Sequence, residues 1–158
     1  MDANFSVGPK MYIAYSSIED GRHHGSTKLH IDITDAVNIM VWSSPTRQQS
    51  NYALWRIFPQ TASAAICEYL RKHAGFTGPG HPIHSQTIYS TDSMLMELEA
   101  KYGVRPFTIH QRVGEAVFIP AGCAHQVCHT PKIIDVPSLI LFLLLKGQQS
   151  GRYHQDSL

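Results

Sequence analysis

Hydrophobic and polar positions alternate in short runs along much of this chain. In "TKLHIDITDAVNIMVW" (27–42), Leu29, Ile31 and Ile33 form one set and Lys28, His30 and Asp32 the other. Strand side chains change face at every residue, so this pattern predicts a strand with His30 and Asp32 on one side. Other strand candidates are "KMYIAYSS", placed in hairpin relation to the first, and "VNIMVWS", apolar enough to be covered on both faces. "ALWRIF", "FTIHQ", "EAVFIP" and a short strand carrying His125 within "AGCAHQVCH" complete the set.

The period changes in the middle of the chain. "TASAAICEYLRKHAG" repeats its apolar residues at helical spacing, and Gly75 suits a left-handed cap. "TDSMLMELEAKYG" predicts a second helix, with Asp92 as N-cap, Leu95 and Leu98 facing inward, Met94 and Met96 filling the core, and Gly103 as the stop. Strands, a helical insertion, then further strands joined by turns point to a mainly β, double-sheet jelly roll or cupin-like barrel. A doubly wound sheet would need helices alternating with strands throughout.

Length and composition narrow the classes. At 158 residues the chain is expected to be one domain, 1–158. A net charge of +1 provides no field to hold nucleic acid or an anionic membrane. Three cysteines, without zinc-knuckle spacing, suggest a reducing compartment and no zinc module. The N-terminal residues lack a secretory pattern. "LILFLLL" is far shorter than the roughly 20 residues that cross a bilayer.

An imidazole and a carboxylate about 7 Å apart along one strand face can both reach one ion if a third ligand arrives from elsewhere. On its own the pair is more often a polar decoration of a solvated strand face. A facial triad of two histidines and one carboxylate binds non-haem Fe(II) and leaves coordination positions open. His125, after the Pro120–Gly122 turn of "GEAVFIPAGCAH", is the strongest candidate for the third ligand, delivered from a strand opposite the first.

The segments "GPKMYIAY", "GSTKLHIDITDAVNIMVW", "ALWRIF", "HPIHSQTIYS" and "YGVRPFTIHQRVGEAVFIPAGCAHQV" together closely resemble the JmjC domain of the histone H3 lysine-nine demethylases, the subfamily that includes the hairless protein. The resemblance runs from about residue 8 to 128. It implies an Fe(II)- and 2-oxoglutarate-dependent oxygenase on a double-stranded β-helix. His30, Asp32 and His125 match the iron ligands, and Thr27 and Asn38 match positions lining the 2-oxoglutarate site. Tyr12 resembles a tyrosine of the methyl-lysine pocket.

Such an enzyme uses O₂ to remove N-methyl groups from the histone H3 tail as formaldehyde. It makes no direct sequence-specific nucleic-acid contact, has no membrane span and works in the nucleus. Asp35 and Gln126 could orient ligands or face solvent, and Trp55 reads as core.

Two departures bear on activity. Many JmjC domains carry, two residues before the tryptophan that matches Trp55, a lysine that pairs with the far carboxylate of 2-oxoglutarate. Here that residue is Ala53. The subfamily lacks that lysine, and one on the strand after the third ligand is expected instead, with Lys132 the nearest basic residue.

That strand is itself unmatched, because residues 129–158 do not follow the family pattern. The expected consequence is a lost barrel strand and an exposed edge. The alternative is that "IIDVPSLILFL" closes the sheet, although Pro137 interrupts it. A catalytically impaired scaffold is therefore the competing function, and a hydroxylase of another substrate is a third.

Overall fold

The computed structural model describes residues 10–15, 27–43, 52–130 and 137–144. Eight strands are present among them: β1 (Lys10–Tyr15), β2 (Thr27–Ile31), β3 (Ala36–Ser43), β4 (Tyr52–Ile57), β5 (Phe107–Gln111), β6 (Ala116–Ile119), β7 (Ala124–Thr130) and β8 (Pro137–Leu144). Two helices, α1 (Ser63–Lys72) and α2 (Asp92–Tyr102), lie between β4 and β5. The strands form two antiparallel four-stranded sheets, in the orders β1-β8-β3-β6 and β2-β7-β4-β5. This is the mainly β, jelly-roll arrangement with a helical insertion that the strand pattern predicts.

One apolar cluster fills the space between the sheets. Ala36, Met40, Val117 and Ile119 come from one sheet, and Ala53, Trp55, Ile57 and Val127 from the other. A second cluster joins the helices to the outer face of the β2-β7-β4-β5 sheet, with Ile66, Tyr69, Leu70 and Leu98 packed against Leu29, Phe58 and Ala124. That sheet is thus apolar on both faces, which leaves its polar residues at defined points. Leu29 faces the helical layer while His30 faces the interior, as alternation requires.

Several expectations need correction. β1 and β2 form no hairpin: β1 pairs with β8 and β2 with β7, in different sheets. Consecutive strands of a jelly roll commonly cross between sheets, and alternation within a strand carries no information about its partner. β7 accordingly lies beside β2 as its hydrogen-bonded neighbour, not opposite it. β3 is covered through Met40, but Val41 and Trp42 are exposed.

The N-cap of α2 is Thr91, whose hydroxyl accepts from the Met94 amide, while Asp92 sits in the first turn and pairs with Arg56. Leu98 is buried, Leu95 and Met94 pack beside it, and Gly103 ends the helix at φ 66°. Met96 points to solvent and fills no core. Gly75 takes φ 72° just past α1, where the Phe76 amide reaches back to the Leu70 carbonyl.

The largest correction concerns the end of the chain. β8 inserts between β1 and β3 and pairs antiparallel with both, so the sheet keeps four strands. Pro137 does not interrupt it, because it is the first residue of the strand, where a missing amide proton is tolerated.

Candidate metal centre and the cavity behind it

His30 and His125 are direct cross-strand partners on β2 and β7, and their ring centroids lie 4.1 Å apart at a 52° tilt. Each ring is held in the same way. The Nδ1 of His30 donates to the Lys28 carbonyl at 2.8 Å, and that of His125 to the Cys123 carbonyl at 3.0 Å. A carbonyl can only accept, so Nδ1 carries a proton, and in the neutral ring Nε2 then holds the lone pair.

Asp32 stands one residue beyond β2, with Oδ1 4.0 Å from the Nε2 of His30 and Oδ2 3.7 Å from the Nε2 of His125. These separations exceed a hydrogen bond but suit three donors around one cation. Among the described residues, this is the one group of three such side chains whose ligand atoms lie within 4.8 Å of one another.

Two further observations fit a cation at that point. The Oδ2 of Asp32 is buried and accepts no hydrogen bond among the described residues. A buried carboxylate oxygen left that way is costly unless a positive charge faces it. His125 is 1% exposed, and burial, reinforced by the neighbouring His30, pushes its pKa down to about 4. The neutral ring that results is the form able to bind a metal.

The loops around the trio are cross-tied. The Gly122 amide donates to the Asp32 carbonyl at 2.9 Å, and the Ala121 amide donates to the Oδ1 of Asp35 at 2.7 Å. Asp35 therefore joins the turn before His125 to the loop carrying Asp32. Gly122 has φ 76°, and a Cβ there would sit 2.7 Å from the Nε2 of Gln60. Gln126 does neither of the things expected of it. Its side chain is wholly buried and clamps Ser90, accepting from the Ser90 amide at 2.9 Å and donating to the Ser90 carbonyl at 2.8 Å.

The trio opens into a cavity of about 660 Å³ between the sheets, lined also by Thr27, Asn38, Trp55, His129 and the inward side chains of β8. Strict alternation would set Thr27 and His30 on opposite faces, but the β2–β7 register shifts between them and both reach the cavity. Asn38 is held through Gln111, whose Nε2 donates to the Asn38 Oδ1 at 3.2 Å and to its carbonyl at 3.0 Å. The Trp55 indole donates to the Oε1 of Gln111 at 2.8 Å, and its ring stacks on that of His125, 6.2 Å away. Trp55 is core as expected, and also cavity wall.

The structure thus gathers His30, Asp32, His125, Thr27 and Asn38 around one space. The backbone of Tyr12 lies in β1 opposite Ile140, in the other sheet from β2, and its side chain is outside the described ones. Lys132 lies outside the described residues altogether. Sequence reasoning missed His129 and Gln111. His129 follows His125 by four positions on one strand, so alternation could have found it. Gln111 has no local signal, since its role comes from partners far away in sequence.

A family described as "JmjC domain, hydroxylase" matches residues 19–135. Among similar proteins, Lysine-specific demethylase JMJ29 of Arabidopsis thaliana is 33% identical over 182 residues, which covers 77% of this chain and 21% of that protein. Lysine-specific demethylase JMJ26 of the same plant is 33% identical over 174 residues, 77% of this chain and 20% of that protein. Lysine-specific demethylase 3A of Homo sapiens is 33% identical over 165 residues, 82% of this chain and 12% of that protein. The chain spans about a fifth or less of the length of these relatives. The family match takes in both histidine-bearing strands and the helices between them, and on that ground the chain belongs to the JmjC hydroxylase family.

Proposed function

We propose that this chain is a single oxygenase domain that binds Fe(II) through His30, Asp32 and His125, takes 2-oxoglutarate as co-substrate, and demethylates methyl-lysine of histone H3, of the lysine-nine type. The observation that carries the reading is the trio itself. Two imidazoles with Nδ1 tied to carbonyls aim Nε2 at a carboxylate whose buried oxygen has no hydrogen-bond partner among the described residues, beside a cavity. When bound, Fe(II) and 2-oxoglutarate supply the oxidising power with which O₂ converts an N-methyl group to formaldehyde, leaving succinate and carbon dioxide.

The residues of the chain do the positioning. His30, Asp32 and His125 would hold the metal at the wall of the cavity they line. Thr27 and the amide of Asn38 offer hydrogen bonds to the co-substrate, and Trp55 and the apolar side chains of β8 exclude water behind it. Tyr12 is assigned to the methyl-lysine pocket on the strength of the family resemblance, and the histone tail, O₂ and a nuclear site of action follow from the same assignment.

The test is an anaerobic titration with Fe(II) and then 2-oxoglutarate, followed by admission of air and a methylated histone H3 peptide. A visible charge-transfer band, then loss of one CH₂ of mass from the peptide with release of formaldehyde, is the expected result. A folded sample that develops no band sinks the catalytic reading and leaves a binding scaffold. A gain of one oxygen with no methyl loss would make the protein a hydroxylase of that peptide.

A further inference from the structure

Between α1 and α2 the chain lays a short loop against the edge of β2, next to the metal trio. Its ends are fixed. Pro82 and Ile83 are buried, the latter within the helical core cluster, and Tyr89 and Ser90 are buried at the other end, where Gln126 clamps the Ser90 main chain. The Leu29 amide of β2 donates to the Ile88 carbonyl at 2.9 Å, which docks the loop beside His30. Residues 84–87, between these anchors, are exposed.

Gln86 has φ 52° and is the one residue other than glycine with a positive φ among the described residues. The turn around it is braced. The Gln86 amide donates to the Ile83 carbonyl at 3.2 Å, and the Ser85 hydroxyl lies 2.6 Å from the Pro82 carbonyl, to which it donates, and 2.9 Å from the Thr87 hydroxyl. Glycine would take this backbone without strain, so the turn itself gains nothing from a glutamine. The side chain is not spent on the loop either, because its carboxamide has no hydrogen-bond partner among the described residues. It lines the cavity that contains His30, Asp32 and His125. A strained residue on a fixed frame, with a free polar group at a site of chemistry, calls for a ligand.

A carboxamide presents an acceptor oxygen and two donor hydrogens. That set complements a peptide group, which presents one N–H and one C=O, and it carries no charge that would favour particular side chains. We propose that Gln86 binds the main chain of the substrate peptide beside the methyl-lysine, accepting from an N–H and donating to a C=O, and so sets how far the lysine reaches toward the metal. The proposal rests on the reading of the cavity as a demethylase site. It makes Gln86 a substrate-binding residue that reads an extended peptide and not its sequence.

The experiment measures peptide binding without turnover. Protein loaded anaerobically with Fe(II) and 2-oxoglutarate is titrated by calorimetry with a histone H3 tail peptide dimethylated at the lysine-nine position. Gln86→Gly should bind the peptide about five- to tenfold more weakly, as loss of one or two neutral hydrogen bonds predicts, while holding 2-oxoglutarate within about twofold. Its melting temperature should stay level or rise, because glycine relieves the backbone. Gln86→Met, of the same length but without the amide, should lose peptide affinity to the same extent. Two further peptides carry an ester in place of one main-chain N–H, either that of the methyl-lysine or that of the residue after it. One of them should bind the wild type as weakly as the parent peptide binds Gln86→Gly, with no further loss in that variant.

Equal peptide affinity of the wild type and Gln86→Gly overturns the proposal, as do additive losses with both ester peptides. So does a melting temperature lowered by more than about 4 °C in Gln86→Gly, which would make the side chain a prop of the loop. Failure of the wild type to bind 2-oxoglutarate or the parent peptide would instead overturn the demethylase reading, so the two failures are distinguishable.

Discussion

Replacing Gln111 with leucine isolates the buried network that fixes Asn38 and Trp55. The side chain is wholly buried and about the volume of leucine, so the substitution opens little cavity. What disappears is polar. Trp55 loses the acceptor of its indole N–H, and three carbonyl oxygens, Asn38 Oδ1, Asn38 O and Glu115 O, lose a donor at 3.0 to 3.2 Å.

A buried donor left bare costs about 1–3 kcal/mol, and the three carbonyl oxygens, which retain a second lone pair, together add about 1 kcal/mol. Burial of leucine carbons in place of an amide returns about 1 kcal/mol. The net loss is about 1–3 kcal/mol, a sizeable share of the roughly 5–15 kcal/mol that holds a domain of this size. With a urea slope near 2 kcal/mol per molar, the midpoint should fall by about 0.5–1.5 M with the slope unchanged. A fall below about 0.3 M would refute the claim that this network is closed and dry. The 2-oxoglutarate affinity should fall as well, because Asn38 loses the donor that orients its amide.

Asp32→Asn should abolish Fe(II) binding yet leave the metal-free protein as stable as the wild type or more so, because the buried carboxylate oxygen has no hydrogen-bond partner among the described residues; thermal melts with and without metal separate the two effects. Metal at a hundred times its dissociation constant should stabilise the wild type by about 2.7 kcal/mol and the variant not at all. Burial pushes the pKa of His129 down to about 4, while in the unfolded chain it titrates near 6.5. Above pH 6.5 both states are neutral there; as the pH falls toward 4 the unfolded chain takes up the proton first, and this residue contributes a loss of up to about 1.4 kcal/mol per pH unit, which ends once both states are protonated. Urea midpoints of metal-free protein across this window should show a shallower acid slope for His129→Leu, and identical slopes would contradict the burial of His129. Gly122→Ala places a Cβ on a residue at φ 76° and against Gln60, so a destabilisation of about 1 kcal/mol and a weakened metal affinity are expected, read by melts and Fe(II) titration.

How much of the molecule was legible depended on the range of each interaction. The facing of His30 and Asp32 follows from period two alone, since nothing beyond two residues is involved. His125 was a candidate from the Pro-Gly turn before its strand and was supported by the family resemblance, but its pairing with His30 was not legible, because no rule of spacing links β2 to β7. Strand partners were illegible for the same reason, and the hairpin expected between β1 and β2 fails although both strands exist. At α2 the helix, its stop and its inner Leu98 were legible, while the cap moved by one residue, from Asp92 to Thr91, two side chains with similar N-cap preference. Met96 was misplaced because methionine is apolar but common on surfaces, and Gln126 because a polar residue beside a site has many ways to be satisfied.

β8 shows why the end of the chain was read wrongly and what it contributes. An unmatched, leucine-rich run with a proline in it suggested a missing strand, yet the same residues satisfy a strand's requirements in both directions. Leu139 and Leu141 alternate with Ile140 and Phe142, and the second set lines the cavity. Phe142 is paired with both Lys10 and Asn38, so this one strand carries the register from the edge of the sheet to the residue that flanks the metal trio. Its apolar composition suits a strand that is hydrogen-bonded on both edges, where the alternative of an open edge would leave main-chain groups exposed. A closing strand therefore does not need a family-specific sequence. It needs alternating apolar side chains of the right volume and a proline no further in than its first residue, and 137–144 has both.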